Sequence, residues 1–132
     1  MSTDGTAIDM TRIETPIYIQ AGREDHSAPA ESVWRMTRHV RGETTFVLAG
    51  SGHIAGVVNP PAANKYQYWT APDNGASFAD FVERADEHPG SWWPHWLGWL
   101  RGRAPTEVHG KGKRVAGGKG EPVVADAPGS CG

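Results

Sequence analysis

Two short apolar runs, separated by one helix's length of chain, constrain this sequence more than any other feature. Ile17-Tyr18-Ile19 is β-branched and aromatic, Phe46-Val47-Leu48 is apolar, and both are bounded by turn residues. Each reads as a strand buried on both faces. Residues 31–40 between them place Val33, Trp34, Thr37 and Val40 on one face, and Glu31, Arg35 and Arg38 on the other, with Arg41 just beyond. That is the pattern of an amphipathic helix lying on a sheet. A strand–helix–strand succession joins parallel neighbours, because a hairpin needs only a few linking residues. The first strand opens into AGREDHSAP, a turn-rich loop carrying Asp25, and the second into a Gly-Ser-Gly loop carrying His53. Both loops then lie at the carboxyl ends of neighbouring parallel strands, where open α/β sheets bind ligands.

The remaining segments frame this unit. Residues 1–12 are polar, without strong periodicity, and read as a loop. Pro16 stands at a permitted strand start, and Pro29 suits the first helical position. Gly42 is placed to cap the helix at its C-terminus. Ile54–Val58 is a short apolar run, terminated by Asn59-Pro60-Pro61. Residues 65–69 hold Tyr66, Tyr68 and Trp69 and read as extended. Residues 77–87 form the next predicted helix, with Phe78, Phe81, Val82 and Ala85 on its apolar face; it ends at His88-Pro89-Gly90. Ser91 is placed to cap a last helix over residues 92–101. Its Trp92, Trp93, Trp96 and Trp99, with Leu97 and Leu100, predict burial on more than one side. Residues 102–132 are rich in Gly, Lys and Pro and too poor in large apolar side chains to offset ordering entropy, so disorder is expected. No internal repeat is present.

Composition closes off several classes. At 132 residues the chain is at most one small domain, shorter than a complete doubly wound hydrolase sheet needs. The net charge of −2 gives no sign of nucleic-acid binding. Charge is uneven: residues 1–100 hold 7 basic against 12 acidic side chains, and residues 101–132 hold 6 against 3. No run approaches a membrane-span length, and residues 1–10 lack the apolar centre of a signal peptide. A cytoplasmic setting is the expectation. The single cysteine, Cys131, allows no intrachain disulfide. In a Gly-Ser-Cys-Gly context it has no fixed partner to lower its pKa, so it is not taken as a nucleophile. His88 and His95, near Asp86 and Glu87, lack any recognised metal spacing. They are expected to cap or pack, and neither a metal nor an organic cofactor is implied.

His53 and Asp25 are the candidate catalytic residues. An imidazole titrates near neutral pH and suits general base work. A carboxylate two elements upstream can orient it, and the order Asp then His matches the last two members of an α/β-hydrolase triad. By themselves, a loop histidine and a turn aspartate are common. Glu24 and His26 beside Asp25 are expected to be structural.

The segments AGREDHSAPAES, VLAGSGHIAGVVNPPAANKYQYW and EHPGSWWPHWLGWL resemble the C-terminal part of class I poly(3-hydroxyalkanoate) synthases. The likeness runs from about Asp9 to Leu100 and recurs at the terminal APGS. It implies an α/β-hydrolase fold, with this chain holding its last two parallel strands and covering helices over residues 1–101, followed by the tail over 102–132. It also implies an acyltransferase that polymerises (R)-3-hydroxyacyl-CoA into polyester, releasing CoA. In that family the nucleophile is a Cys in an upstream G-x-C-x-G elbow, which this chain does not contain. The chain therefore resembles a C-terminal fragment that carries Asp25 and His53 and is inactive alone. The resemblance assigns the His to activation of the thiol and the Asp to activation of the incoming 3-hydroxyl. A standard triad would instead have the Asp orient the His, and both roles stand open at this point. Implied partners are the acyl-CoA and growing polyester, the polyester granule surface, and a second copy or the complementary N-terminal piece of a synthase. Two alternatives stand beside it: a non-catalytic protein that binds granules or a full-length synthase through the Trp-rich helix and the basic tail, and a remnant of another α/β hydrolase, such as a depolymerase or esterase. SWWPHW and HIAGVVNPP argue against the last.

Overall fold

The computed structural model describes residues 2–108, Pro122 and Ala125. Cys131 and most of the segment expected to be disordered lie outside the described residues.

The predicted strands form and pair as expected. Strand β3 (Ile17–Gly22) and strand β4 (Thr44–Ala49) run parallel, in register from Ile17 opposite Thr44 to Gly22 opposite Ala49. Before them, β1 (Ser2–Thr3) and β2 (Thr6–Ala7) make a small antiparallel hairpin. This corrects the reading of residues 1–12 as loop. The turn is Asp4-Gly5, with φ of 51° and 74°. Positive φ at both central residues is what a tight hairpin with the native strand twist demands, and Asp-Gly supplies it.

The sheet is larger than the two strands expected. β5 (Gln67–Thr70) pairs antiparallel with β4, and β6 (Asp86–Pro89) pairs antiparallel with β5, giving the order β3-β4-β5-β6. Strand β6 takes over the end of the helix predicted for 77–87. Helix α2 is Phe78–Arg84, capped by Ser77, whose side chain accepts from Asp80 N–H. Ala85 then turns extended, at φ −77° and ψ 131°, and the next four residues satisfy their backbone groups on β5 instead of in a helix.

The crossover helix also stops early. Helix α1 is Ala30–Trp34, and Arg35–Arg38 tightens to a 3₁₀ turn. Its amphipathic pattern survives: Trp34 is buried, Val33, Thr37 and Val40 are half-buried, and the polar face pairs Arg35 with Glu31 at 2.8 Å. Gly42 is not a helix cap. Its N–H and that of Arg41 both donate to Ile13 O, and a Cβ there would lie 2.5 Å from Thr15 O. The chain must reach this close contact before entering β4, which shortens the helix.

Side chains alternate across the sheet as the strand period requires. One face presents Ile19, Ala21, Phe46, Leu48 and Trp69 to Ala30, Trp34 and Phe81, forming the buried core. Phe81 is fully buried and meets Phe46 edge-on at 4.9 Å. The other face presents Tyr18, Thr45 and Tyr68 to helix α3 (Trp93–Arg103). Ser91 is not the helix cap expected: the helix begins at Trp93, its N-cap is Trp92 and no side chain caps it, although Ser91 Oγ accepts from Trp93 N–H at 3.1 Å. The helix runs two residues beyond the expected end at 101, with the Arg103 guanidinium 4.1 Å from the Trp99 ring centre and bonded to Glu43. Burial on several sides is not found: no α3 residue is fully buried. The sheet covers one side only, and Leu97 on the helix stays exposed.

One side chain acts as a piece of strand. Beyond the short β4–β5 ladder, Asn74 Oδ1 accepts from Phe46 N–H at 3.1 Å, and Asn74 Nδ2 donates to Thr44 O at 3.0 Å. Its own carbonyl accepts from the Trp34 indole at 2.7 Å. Asn74→Ala leaves two strand groups unpaired and is expected to cost about 1–3 kcal/mol. Urea denaturation should show a lower midpoint at an unchanged slope; an unaltered midpoint would remove Asn74 from this role.

Candidate active site

The loops after β3 and β4 are stitched together by backbone bonds. Arg23 N–H donates to Ala49 O at 2.8 Å, and Glu24 N–H to Ser51 O at 3.2 Å. Gly22 ends β3 where a Cβ would press on Ser51 O at 3.2 Å. The parallel pairing therefore continues past the strands and delivers both loops to one place.

Asp25 is held by its own turn. Its Oδ1 accepts from Ser27 N–H at 2.8 Å and Ala28 N–H at 2.9 Å, the bonding expected of an Asp-initiated turn. Its Oδ2 lies 2.7 Å from His53 Nδ1. The two sequence candidates thus meet across 28 residues of chain. Their exposure differs: 6% for the Asp25 side chain and 65% for that of His53. The Ala28 N–H, then the His53 side chain, then the Ser27 N–H hold the Asp25 carboxyl below the usual carboxylate range. An ionised Asp25 makes Nδ1 the donor. With the proton on Nδ1, the neutral ring carries its acceptor lone pair on Nε2.

The His53 loop is compact. Ser51 takes a left-handed φ of 72°. Gly56 N–H donates to Gly52 O at 3.0 Å, and a Cβ at Gly56 would sit 2.6 Å from Gly50 O. Only glycine fits that inward turn. Asn59, buried, closes the loop through Nδ2 to Lys65 O at 2.9 Å.

Beside Asp25 a cleft of about 420 Å³ opens between the sheet end and helices α1 and α2, lined by Arg23, Pro29, Leu48, Phe78 and Val82 among others. The Arg23 guanidinium lies over Trp69, 4.6 Å from the ring centre. Arg23 was not singled out from the sequence, although it stands inside the GREDH stretch.

The other candidates fall elsewhere. Glu24 and His26 are exposed, and Glu24 contributes its backbone. His88 Nε2 lies 2.8 Å from Thr70 Oγ1, and its ring stacks on Tyr68 at 4.9 Å. His95 Nδ1 lies 2.9 Å from Tyr18 Oη. Burial, with His88 nearby, pushes the His95 pKa down; burial also pushes the Tyr18 phenol well up. His88, on β6, packs on Tyr68, and His95 reaches from α3 to Tyr18 of the sheet. Among the described residues, no group of three His, Cys, Asp or Glu side chains could hold a metal ion, and no helix is long and apolar enough to cross a membrane.

No family model matches this chain. The poly(3-hydroxyalkanoate) polymerase subunit PhaC of Rhizobium etli is 46% identical over 134 aligned positions, 98% of this chain and 20% of that protein. Nearly the whole chain thus matches a stretch of the poly(3-hydroxyalkanoate) polymerases. PhaC of Rhizobium meliloti is 45% identical over 96% of this chain and 20% of its own length. PhaC of Cupriavidus necator is 44% identical over 76% of this chain and 17% of its own length. The chain spans about a fifth of the length of these polymerases.

The lowered pKa of Asp25 fixes a sign. A carboxylate with a depressed folded-state pKa stabilises the fold fully above its unfolded value of about 3.9, and that contribution is lost as pH falls through the folded value. Asp25→Asn should therefore flatten the fall in stability below about pH 4. Urea midpoints of both proteins across an acid pH series test this; parallel curves would mean Asp25 is not stabilised as described.

Proposed function

We propose that this chain supplies the acid–base half of a polyester synthase active centre built on an α/β-hydrolase sheet. In this reading β3 and β4 are the last two parallel strands of that sheet. Residues 1–101 belong to the catalytic domain, and residues 102–132 are a tail. The observation that carries the reading is the 2.7 Å bond between His53 Nδ1 and Asp25 Oδ2 at the ends of adjacent parallel strands, in a chain whose relatives are named polymerases.

The chemistry follows from the pair. His53 takes the proton of a cysteine thiol supplied by the remainder of the enzyme. The thiolate attacks the thioester carbonyl of (R)-3-hydroxyacyl-CoA. The carbon–sulfur bond to CoA breaks, CoA leaves as the thiol with that proton, and an acyl-cysteine remains. The 3-hydroxyl of one acyl unit then gives its proton to His53 and attacks the carbonyl of a second acyl thioester; that carbon–sulfur bond breaks, its sulfur leaves as the thiol with the proton from His53, and the polyester gains one ester bond. Of the two roles for Asp25, its contacts favour orientation of His53. Both carboxylate oxygens are engaged, and the side chain is nearly fully buried. The imidazolium formed after each proton transfer is stabilised by the adjacent carboxylate. The short side chains expected of a class I enzyme define the monomer class. No metal or organic cofactor enters the scheme. The enzyme works in the cytoplasm, at the surface of the granule it builds.

A second reading is a non-catalytic protein that attaches to polyester granules or to a synthase. The exposure of Ile54, Val58 and Leu97 favours it, since apolar side chains left in water mark contact surfaces.

The test is replacement of the matching fifth of the Rhizobium etli polymerase by this chain. CoA release from 3-hydroxybutyryl-CoA should be absent with the chain alone and present with the chimera. His53→Gln and Asp25→Asn in the chimera should each lower kcat by about a thousandfold or more. A chimera as active with His53→Gln as without it would sink the catalytic reading. Granule co-sedimentation of an inactive chimera would favour the second.

A further inference from the structure

The histidine loop is held by something other than its own turn. Trp92 Nε1 donates to Gly56 O at 3.0 Å, and Trp93 Nε1 donates to Val57 O at 3.0 Å. These are successive carbonyls of the loop that carries His53, and both donors sit at the start of α3, 36 residues away in sequence. The two indoles meet nearly edge to face, with ring centres 6.5 Å apart at 75°, so their N–H groups reach neighbouring peptide units. A proline in the first turn marks the start of the helix beneath them.

The helix that presents these indoles is anchored on the sheet. Tyr18 stacks with Trp92 at 6.1 Å and meets Trp99 at 5.5 Å, while its hydroxyl bonds His95. Trp99 Nε1 donates to Thr45 Oγ1 at 3.1 Å. The path is therefore continuous: β3 and β4 hold α3, α3 holds the carbonyls of residues 56 and 57, and the turn through Gly52 and Gly56 holds His53.

We propose that Trp92 and Trp93 are positioning residues for His53. Their indole N–H groups clamp the far side of its loop, so that Nδ1 stays in bonding distance of Asp25 while most of the ring faces solvent. Neither indole touches a reacting atom. The inference rests on the reading of His53 and Asp25 as the working pair. Packing alone does not account for it, because two adjacent indoles each direct a donor onto consecutive loop carbonyls.

The test uses tryptophan-to-phenylalanine changes in the full chain, which keep an aromatic ring and delete the N–H. Two readouts are followed by NMR: amide hydrogen exchange at residues 56–58, and the tautomer and titration of the His53 ring. One lost bond should speed exchange about fivefold, and loss of both about 25-fold, if each contributes about 1 kcal/mol. The fraction of His53 with its proton on Nδ1 should fall in Trp92→Phe and Trp93→Phe. Trp99→Phe removes a comparable indole bond from the same helix without touching the loop. It should lower stability while leaving exchange at 56–58 and the His53 tautomer unchanged. Unchanged exchange in the first two variants overturns the clamp. Faster exchange with an unaltered His53 tautomer, or an equal effect from Trp99→Phe, overturns the positioning role. If the unsubstituted chain shows no Nδ1 proton bonded to Asp25, the pairing itself fails, and exchange at 56–58 still reads the clamp.

Discussion

Everything at the site depends on the parallel registration of β3 with β4. Two neighbouring strands pointing the same way place both outgoing loops on one edge of the sheet. The bonds from Arg23 to Ala49 and from Glu24 to Ser51 carry the registration beyond the last ladder residues. A slip of one residue would turn Tyr18 and Ile19 to opposite faces. It would place aromatic bulk in the small core and strip α3 of its Tyr18 contacts. The same error would part Asp25 from His53. Core, helix docking and site geometry therefore share one constraint, and neither strand can be altered for one purpose without affecting the others.

The two faces of the sheet meet different demands. The α1–α2 face is dry and aromatic-rich, with Phe81, Phe46 and Trp34 closely packed. The α3 face is built from groups that keep a polar end: Tyr18 with His95, His88 with Thr70, and Trp99 with Thr45. Such amphipathic rings combine burial with directed hydrogen bonds. That suits an element whose task is to hold neighbouring backbone in a defined place. It also explains why a helix with so many tryptophans is only half-buried here: its indoles spend their donors on strand and loop groups.

The parts of the fold written in periodicity were legible. The apolar runs of β3 and β4, the face of α1 and the start of α2 all follow from local pattern, as does the placement of Asp25 and His53 at strand ends. The elements that were not legible depend on partners distant in sequence. Strand β6 reads as the end of a helix, because Asp86-Glu87-His88 carries no strand signal; only β5 beside it makes those residues extended. The shortened α1 follows from the close approach of Gly42 to Glu14 and Thr15, which no pattern within the helix announces. The Asp4-Gly5 hairpin is written in its dipeptide, although the polar residues around it carry no strand pattern. At the site, the pairing of Asp25 with His53 was visible as spacing. The two indole bonds were not, because a tryptophan's donor carries no signature of the carbonyl it will find.

The saturated carboxylate of Asp25 limits what can stand in its place. Two backbone N–H groups and one imidazole already occupy it. A glutamate has the same charge and chemistry, yet its extra methylene would carry the carboxylate about 1.5 Å further from the backbone. It could reach the ring or close the turn, but not both. An asparagine could close the turn, but would offer the ring no charge. The position thus admits a single residue type for reasons of length as well as charge. Among homologous chains that retain this turn and its histidine, divergence should stop at this one side chain even where Glu24 and His26 beside it drift.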